Sequence, residues 1–408
     1  MLPFKYALKH MRRSFLSCLA AIAASLIFSL LLCELNYALA SQNTQLNEIY
    51  DSIEVKCVVS DVKGTKTDRL QINPTYVDAC TNPVYEISEY IKDICFKRRL
   101  RYNAIIPGEE PLIENIAEAP YLIGISMLEA DSSLLPHNGV TVDFFNGYDE
   151  TDLNTDKMIC IVPASLVRDK APSADMTLSL AVTYDYGPMF EKKPIVADLI
   201  VAGTYTGIVS EEDSIYCPWG AICSLAVEAG DIYMADSLSF TVKDNRKLNE
   251  FKSILWKYYS PVDVTAGDSI YSYAITVNDA VLNESVSSID RNITLLNILI
   301  PLLLISSIGI GFVTSLILTR NRRPEFAVMR SMGARRGNVF FVAFIEQLML
   351  GVLGALLGVI GYNIVRGFGA SINLTQLGIY IGCYIIGAAA AVIRITTINV
   401  MQIMKVKE

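Results

Sequence analysis

The sequence predicts an α-helical membrane protein with four transmembrane helices and a mixed α+β extracytoplasmic domain inserted between the first and the second. Three observations carry this. The 408-residue chain is 52% apolar, and its apolar residues concentrate in four runs, Ser14 to Cys33, Ile293 to Thr319, Gln347 to Val365 and Gly367 to Ile393, none with an Asp, Glu, Lys or Arg. A helix rises about 1.5 Å per residue, so roughly 20 such residues cross a hydrocarbon core of about 30 Å. Charge is partitioned just as sharply: residues 41 to 290 carry 38 acidic and 19 basic side chains, and the remainder 4 and 15. Basic residues cluster beside the spans, which is the signature of a chain oriented across a bilayer.

That clustering sets the orientation. Lys5, Lys9, Arg12 and Arg13 precede the first span; Arg320, Arg322, Arg323, Arg330, Arg335 and Arg336 lie between the second and third; Arg394, Lys405 and Lys407 follow the fourth. Both termini are therefore expected in the cytoplasm of a multi-pass protein of the cell (plasma) membrane, with residues 41–290 outside. The expected segments are 1–40 for the N-terminus and first span, 41–277 for the outer domain, and 278–319 for a stalk helix continuing into the second span. A cytoplasmic loop at 320–338, the third span at 339–365, a short external turn at 366–373, the fourth span at 374–393 and a cytoplasmic tail at 394–408 complete the chain. Ala38-Leu39-Ala40 resembles a signal-peptidase site. The apolar run before it is long for a signal core, so the first helix is expected to stay in place.

In the outer domain, β-branched and aromatic runs predict strands at Val140–Phe145, Met158–Val162, Met176–Tyr184, Ile195–Ile208, Ser214–Pro218 and Ser237–Val242. Helices are expected at Pro83–Arg99, at Asp244–Tyr259, where Leu248, Phe251, Leu255 and Tyr258 recur at helical spacing, and from Asn278 onward. The last pattern runs unbroken by Gly or Pro into the second span. Six cysteines, Cys57, Cys80, Cys95, Cys160, Cys217 and Cys223, fall outside, where disulfides can form, with 15 pairings open. Cys18, Cys33 and Cys383 belong to the spans. Two histidines, His10 and His137, and no CxxC pair give no metal site. No nucleophile elbow, zinc-protease motif or phosphate-binding glycine loop occurs, so neither catalysis nor a cofactor is expected of this chain. Acidic neighbours such as Glu109-Glu110 and Glu211-Glu212-Asp213 read as solvated surface.

The loop between the second and third spans holds the densest local signal. Pro324 suits a first helical turn, Glu325 favours the dipole there, Gly333 is a natural stop, and Asn338 is placed to cap the third span. The loop is thus a short helix, a break and a new helix. Phe326 and Met329 share one side with Gly333; Val328 and Met332 share another. Such a helix could lie on anionic lipid headgroups through its arginines, or it could couple to a cytoplasmic partner. In the third span Gly351, Gly354, Gly358 and Gly361, and in the fourth Gly378 and Gly382, suit close helix packing. Glu346, near the start of the third span, is expected to partner a loop arginine.

Arg323 to Arg336 (RPEFAVMRSMGARR), followed by Glu346 and a glycine-rich apolar run, resembles the signature of MacB/FtsX-type ABC transporter permeases. The strand-rich block with Cys160-Ile-Val-Pro163, Val201-Ala-Gly203 and Phe240-Thr-Val-Lys243 is similar to that family's extracytoplasmic core domain, and Met401 to Glu408 to its cytoplasmic ending. The resemblance implies a non-catalytic permease subunit. A separate ABC ATPase subunit would engage Arg323, Glu325, Phe326, Met329, Arg330, Met332, Gly333 and Ala334. A second permease chain, identical or homologous, would complete a dimer in contact with membrane lipid, with no nucleic acid. Its extracytoplasmic domain would move with ATP turnover and act on a peptide, lipoprotein or drug-like substrate. Two rival expectations are an FtsX-like regulator of a cell-wall hydrolase, and a membrane-anchored receptor without an ATPase.

Overall fold

The structure is a computed structural model that describes residues 15–105, 113, 116–145, 147–167, 176–183, 194–209, 211, 213–230, 235–262, 270–367 and 373–396. The basic segment before Phe15, most of the 366–373 turn, Tyr184, Glu109-Glu110, Glu212 and the tail beyond Thr396 lie outside these residues. The chain divides into two compact units, Met1–Ile49 with Glu284–Glu408, and Tyr50–Asn283.

Among the described residues four helices, which make up most of the first unit, are long and apolar enough to cross a membrane: α1 (Phe15–Ser52), α6 (Ala280–Asn321), α8 (Arg336–Arg366) and α9 (Leu374–Thr396). Their periodicity is blunt, because lipid accepts apolar side chains all round. On α1 Cys18, Ala21, Ser25, Ser29, Leu32 and Cys33 are inside, whereas Leu16, Leu19 and Ile27 face out. α1 has 38 residues and α6 has 42, so each is about 57 Å or more in length, well beyond a bilayer core of about 30 Å. Pro301 lies inside α6.

The second unit is built on one mixed sheet of eleven described strands: β1 (Lys56–Asp61), β2 (Ile91–Ala104), β3 (Tyr121–Ile125), β4 (Thr141–Phe144), β5 (Ile159–Pro163), β6 (Thr177–Thr183), β7 (Ile195–Thr206), β8 (Ile215–Pro218), β9 (Ser237–Val242), β10 (Ser260–Pro261) and β11 (Tyr273–Val277). The order is β10-β11-β1-β9-β2-β3-β8-β5-β7-β4, with β6 pairing both β2 and β7. The smaller helices α2 (Pro74–Thr81), α3 (Ala164–Val167), α4 (Trp219–Glu228) and α5 (Leu248–Leu255) complete it. Gly124 on β3 lets α4 approach the sheet: a Cβ there would collide with Ile222. Trp219 stacks on Phe96 at 4.8 Å, and Leu248, Phe251 and Leu255 bury the inner face of α5. A core of Tyr121, Ile123, Ile125, Leu134, Ile161, Tyr205 and Tyr216 lies around β3, β5, β7 and β8.

One expectation is corrected. Pro83–Arg99 is not a helix. It holds a short 3-10 turn, Glu86–Glu89, and then most of β2, which pairs with β9, β3 and β6. The run Lys97-Arg98-Arg99-Leu100-Arg101 looks like a solvated helix face, but carboxylates from distant segments neutralise Lys97 and Arg99 inside the sheet. The ladder is displaced between Lys92 and Cys95, where Asp93 takes a φ of 48°, so a bulge re-aims the strand. The cysteines are all free thiols, and Cys57, Cys80, Cys95, Cys160 and Cys217 are buried. Burial pushes Cys57, Cys80 and Cys160 up to about 12, which keeps them protonated.

Candidate functional site

α6 ends at Asn321, Arg322 forms an elbow, and α7 (Arg323–Ser331) follows with Pro324 and Glu325 in its first turn. The turn after α7 works because Gly333 adopts a φ of 92°, in the left-handed region that a Cβ disfavours. Ala334 N–H then donates to Met329 O at 3.1 Å and Gly333 N–H to Arg330 O at 3.1 Å, closing the helix end. α8 begins at Arg336 with Arg335 at its N-cap and no side-chain cap. Asn338, expected to be that cap, lies inside the first turn with its N–H on Arg335 O. The helix starts earlier because Gly333 and Ala334 already complete the turn.

The two sides of α7 differ. Phe326 is buried against Val339, Ala343 and Val392, with Met329, Ala334 and Phe340 packed around it. Val328 is 55% and Met332 76% exposed, and Pro324, Glu325 and Ser331 are exposed on the same outward side. Arg323 and Arg330 are half-buried. Of the residues singled out from sequence, Phe326, Met329 and Ala334 seat the helix. Glu325, Met332 and in part Arg330 are presented outward.

At the elbow, Arg322 Nη1 donates to Glu346 Oε2 of α8, and both side chains are almost fully buried. Arg322 Nε also donates to Glu325 Oε2 at 3.2 Å, and its guanidinium lies 5.1 Å from the Phe326 ring centroid. One residue at a helix junction thus touches α7 and α8 together.

The glycines of α8 lie against α1. A Cβ on Gly354 would come within 2.5 Å of Ser25 Cβ and 2.7 Å of Ile22 O; one on Gly358 would strike Ser29 Oγ and lie 2.7 Å from Leu26 O. A Cβ on Gly361 would rest on Leu30 at 3.5 Å, and one on Gly351 would meet the Tyr384 ring. Ser25 Oγ donates to Gly351 O at 2.8 Å and Ser29 Oγ to Ala355 O at 3.3 Å. The Tyr380 hydroxyl donates to Ser25 O at 3.0 Å. Among the described residues of this chain nothing lies within 4 Å of a Cβ built on Gly378 or Gly382. The inward face of α9 is instead Tyr380, Tyr384, Gly387, Ala388 and Ala391, and Gly387 and Gly311 each meet backbone of the opposing helix, near Ile308 and Tyr384. Sequence reading missed Gly311, Gly387 and the serines of α1. The Ser25-xxx-Ser29 spacing, small residues one turn apart, was a usable signal. Among the described residues no group of His, Cys, Asp and Glu could hold a metal ion.

Four helices long and apolar enough to cross a membrane, packed through small residues, mark a multi-pass membrane protein. Residues 297–407, from within α6 to the tail, match the family model described as FtsX-like permease C-terminal. That match makes the region spanning most of α6, α7, α8 and α9 similar to FtsX-like permeases. No curated protein matches the chain. Among solved structures it is similar to the periplasmic region of MacB from Actinobacillus actinomycetemcomitans, at 13% identity and a TM-score of 0.29, over 58% of this chain and 94% of that one.

Proposed function

We propose that this chain is the non-catalytic permease subunit of an ABC transporter whose separate ATPase subunit docks on the outward side of α7. The observation that carries the reading is the division of α7 into a seated side, Phe326 and Met329, and an outward side, Val328 and Met332. Exposed apolar residues rimmed by charge suit a protein contact. The basic residues beside the spans support cytoplasmic termini and an outer domain at 41–290 in the cell membrane. The unbroken helix Ala280–Asn321 supports a stalk at 278–319 that leads into the second span and carries motion. A second permease chain would place two α7 helices over an ATPase dimer, and ATP-driven closure would then displace both. The outer domains would do the work on a peptide, lipoprotein or drug-like substrate.

The test is gentle-detergent affinity purification from the native cell. Wild type should recover an ABC ATPase, and Val328→Asp with Met332→Asp should lose it, because both side chains are solvent-facing and the fold does not depend on them. Well-folded wild type that brings down no ATPase would overturn the reading in favour of an anchored receptor.

A further inference from the structure

The geometry points to Arg322 and Glu346 as a buried latch that sets the pose of α7 on α8, with Arg322 as its positioning residue. This deepens the coupling role proposed above and rests on it for its functional meaning.

Ser315, Thr319 and Arg322 follow one another at intervals of four and three, so they fall on one face at the end of α6. All three are buried, as are Glu346 and Gln347 on α8. Ser315 Oγ donates to Gln347 Oε1 at 3.1 Å, and Arg322 bonds Glu346 about two turns further on. The stripe is polar, and polar contacts between such helices fix register. A buried ion pair contributes little net stability, because desolvation offsets attraction, but it tolerates few geometries. Here that geometry is imposed where the chain must turn from α6 into α7. The other contacts of Arg322, with Glu325 and the Phe326 ring, both belong to α7. The guanidinium therefore references the coupling helix to α8. The sequence of α7 supplies the helix, and the latch supplies its angle.

Hydrogen–deuterium exchange on the purified full-length permease tests this without any ATPase. Glu346→Gln should speed exchange of the amides of residues 326–334 by roughly tenfold or more, leaving α1 and α9 unchanged. Arg322→Met should give the same local signature. The double variant Arg322→Met with Glu346→Leu removes both charges of this pair, so it should exchange no faster than Arg322→Met alone. Unchanged exchange at 326–334 would overturn the latch. So would a rise spread over all four long helices, or additive effects in the double variant. Recovery of the ATPase with wild type is read separately: its absence sinks the proposed function, and the exchange pattern still decides the latch.

Discussion

Lys97, Arg98 and Arg99 are consecutive on β2, and all three are buried. Alternation sends Lys97 and Arg99 to one face of the strand. Lys97 Nζ meets Asp131 Oδ2 at 2.7 Å, and Arg99 grips Asp68 with two bonds, at 2.8 and 2.5 Å, while its own N–H donates to Asp236 Oδ2 at 2.6 Å. Lys97 and Asp131 are each nearly dry, so removing Asp131 leaves Lys97 only the longer contact with Asp68 Oδ2, at 3.8 Å. Asp131→Asn should destabilise the second unit by about 3–5 kcal/mol, and adding Lys97→Met should recover most of the loss. Trp219 and Trp256, the only two tryptophans, both lie in this unit, so denaturant unfolding followed by tryptophan fluorescence reads it selectively. A shift under about 1 kcal/mol for Asp131→Asn would mean that water reaches the pair and screens it.

At the scale of elements, the contact of α8 with α1 is set by backbone approach. A side chain at Gly358 would have to displace the carbonyl of Leu26, so Gly358→Leu should cost about 1–3 kcal/mol or more and lower the thermal stability of the detergent-solubilised protein. Gly382→Leu, on the open side of α9, should leave it unchanged. That contrast also shows what sequence can and cannot tell. The four long helices were legible because length and absence of charge decide them locally. Ser237–Val242 and Ile195–Thr206 were legible because their β-branched patterns agree with their place in the sheet. Lys56–Asp61, Tyr121–Ile125 and Tyr273–Val277 were overlooked, although each is a short β-branched or aromatic run. β2 was misread because its identity depends on Asp68, Asp131 and Asp236, which only the fold brings to it. Likewise GxxxG spacing marks Gly354–Gly358 and Gly378–Gly382 alike. Which pair has a neighbour is a tertiary fact. At the candidate site, the helix Arg323–Ser331 and its glycine stop followed from Pro324 and Gly333. The burial of Phe326 did not, and although a loop arginine was expected to partner Glu346, nothing in the sequence singled out Arg322.

Across the whole molecule, the two units are stabilised by different physics, and acid should separate them. The second unit depends on ionised carboxylates. Burial alone would raise the Asp68 carboxyl, but the Arg99 hydrogen bonds and the charges of Lys97 and Arg99 hold it at about 2. Asp131 is likewise opposed by burial yet kept below the usual carboxylate range by Lys97 and Ser133. Because both are depressed in the folded state, the unfolded chain, with ordinary carboxylates near 3.9, binds protons more readily. Their stabilisation is therefore complete above about pH 4 and is lost as pH falls from there toward 2. Apart from the Arg322–Glu346 pair, the long helices of the first unit draw mainly on apolar packing and backbone hydrogen bonds inside lipid or detergent, which protons do not titrate. Lowering pH from 5 to 2 should thus shift tryptophan emission to the red with a midpoint between about 4 and 2, while most helical circular dichroism persists. In Asp131→Asn the acid step should shrink, since one of the responsible carboxylates is gone. Simultaneous loss of fluorescence and helicity would show instead that the two units unfold as one cooperative body.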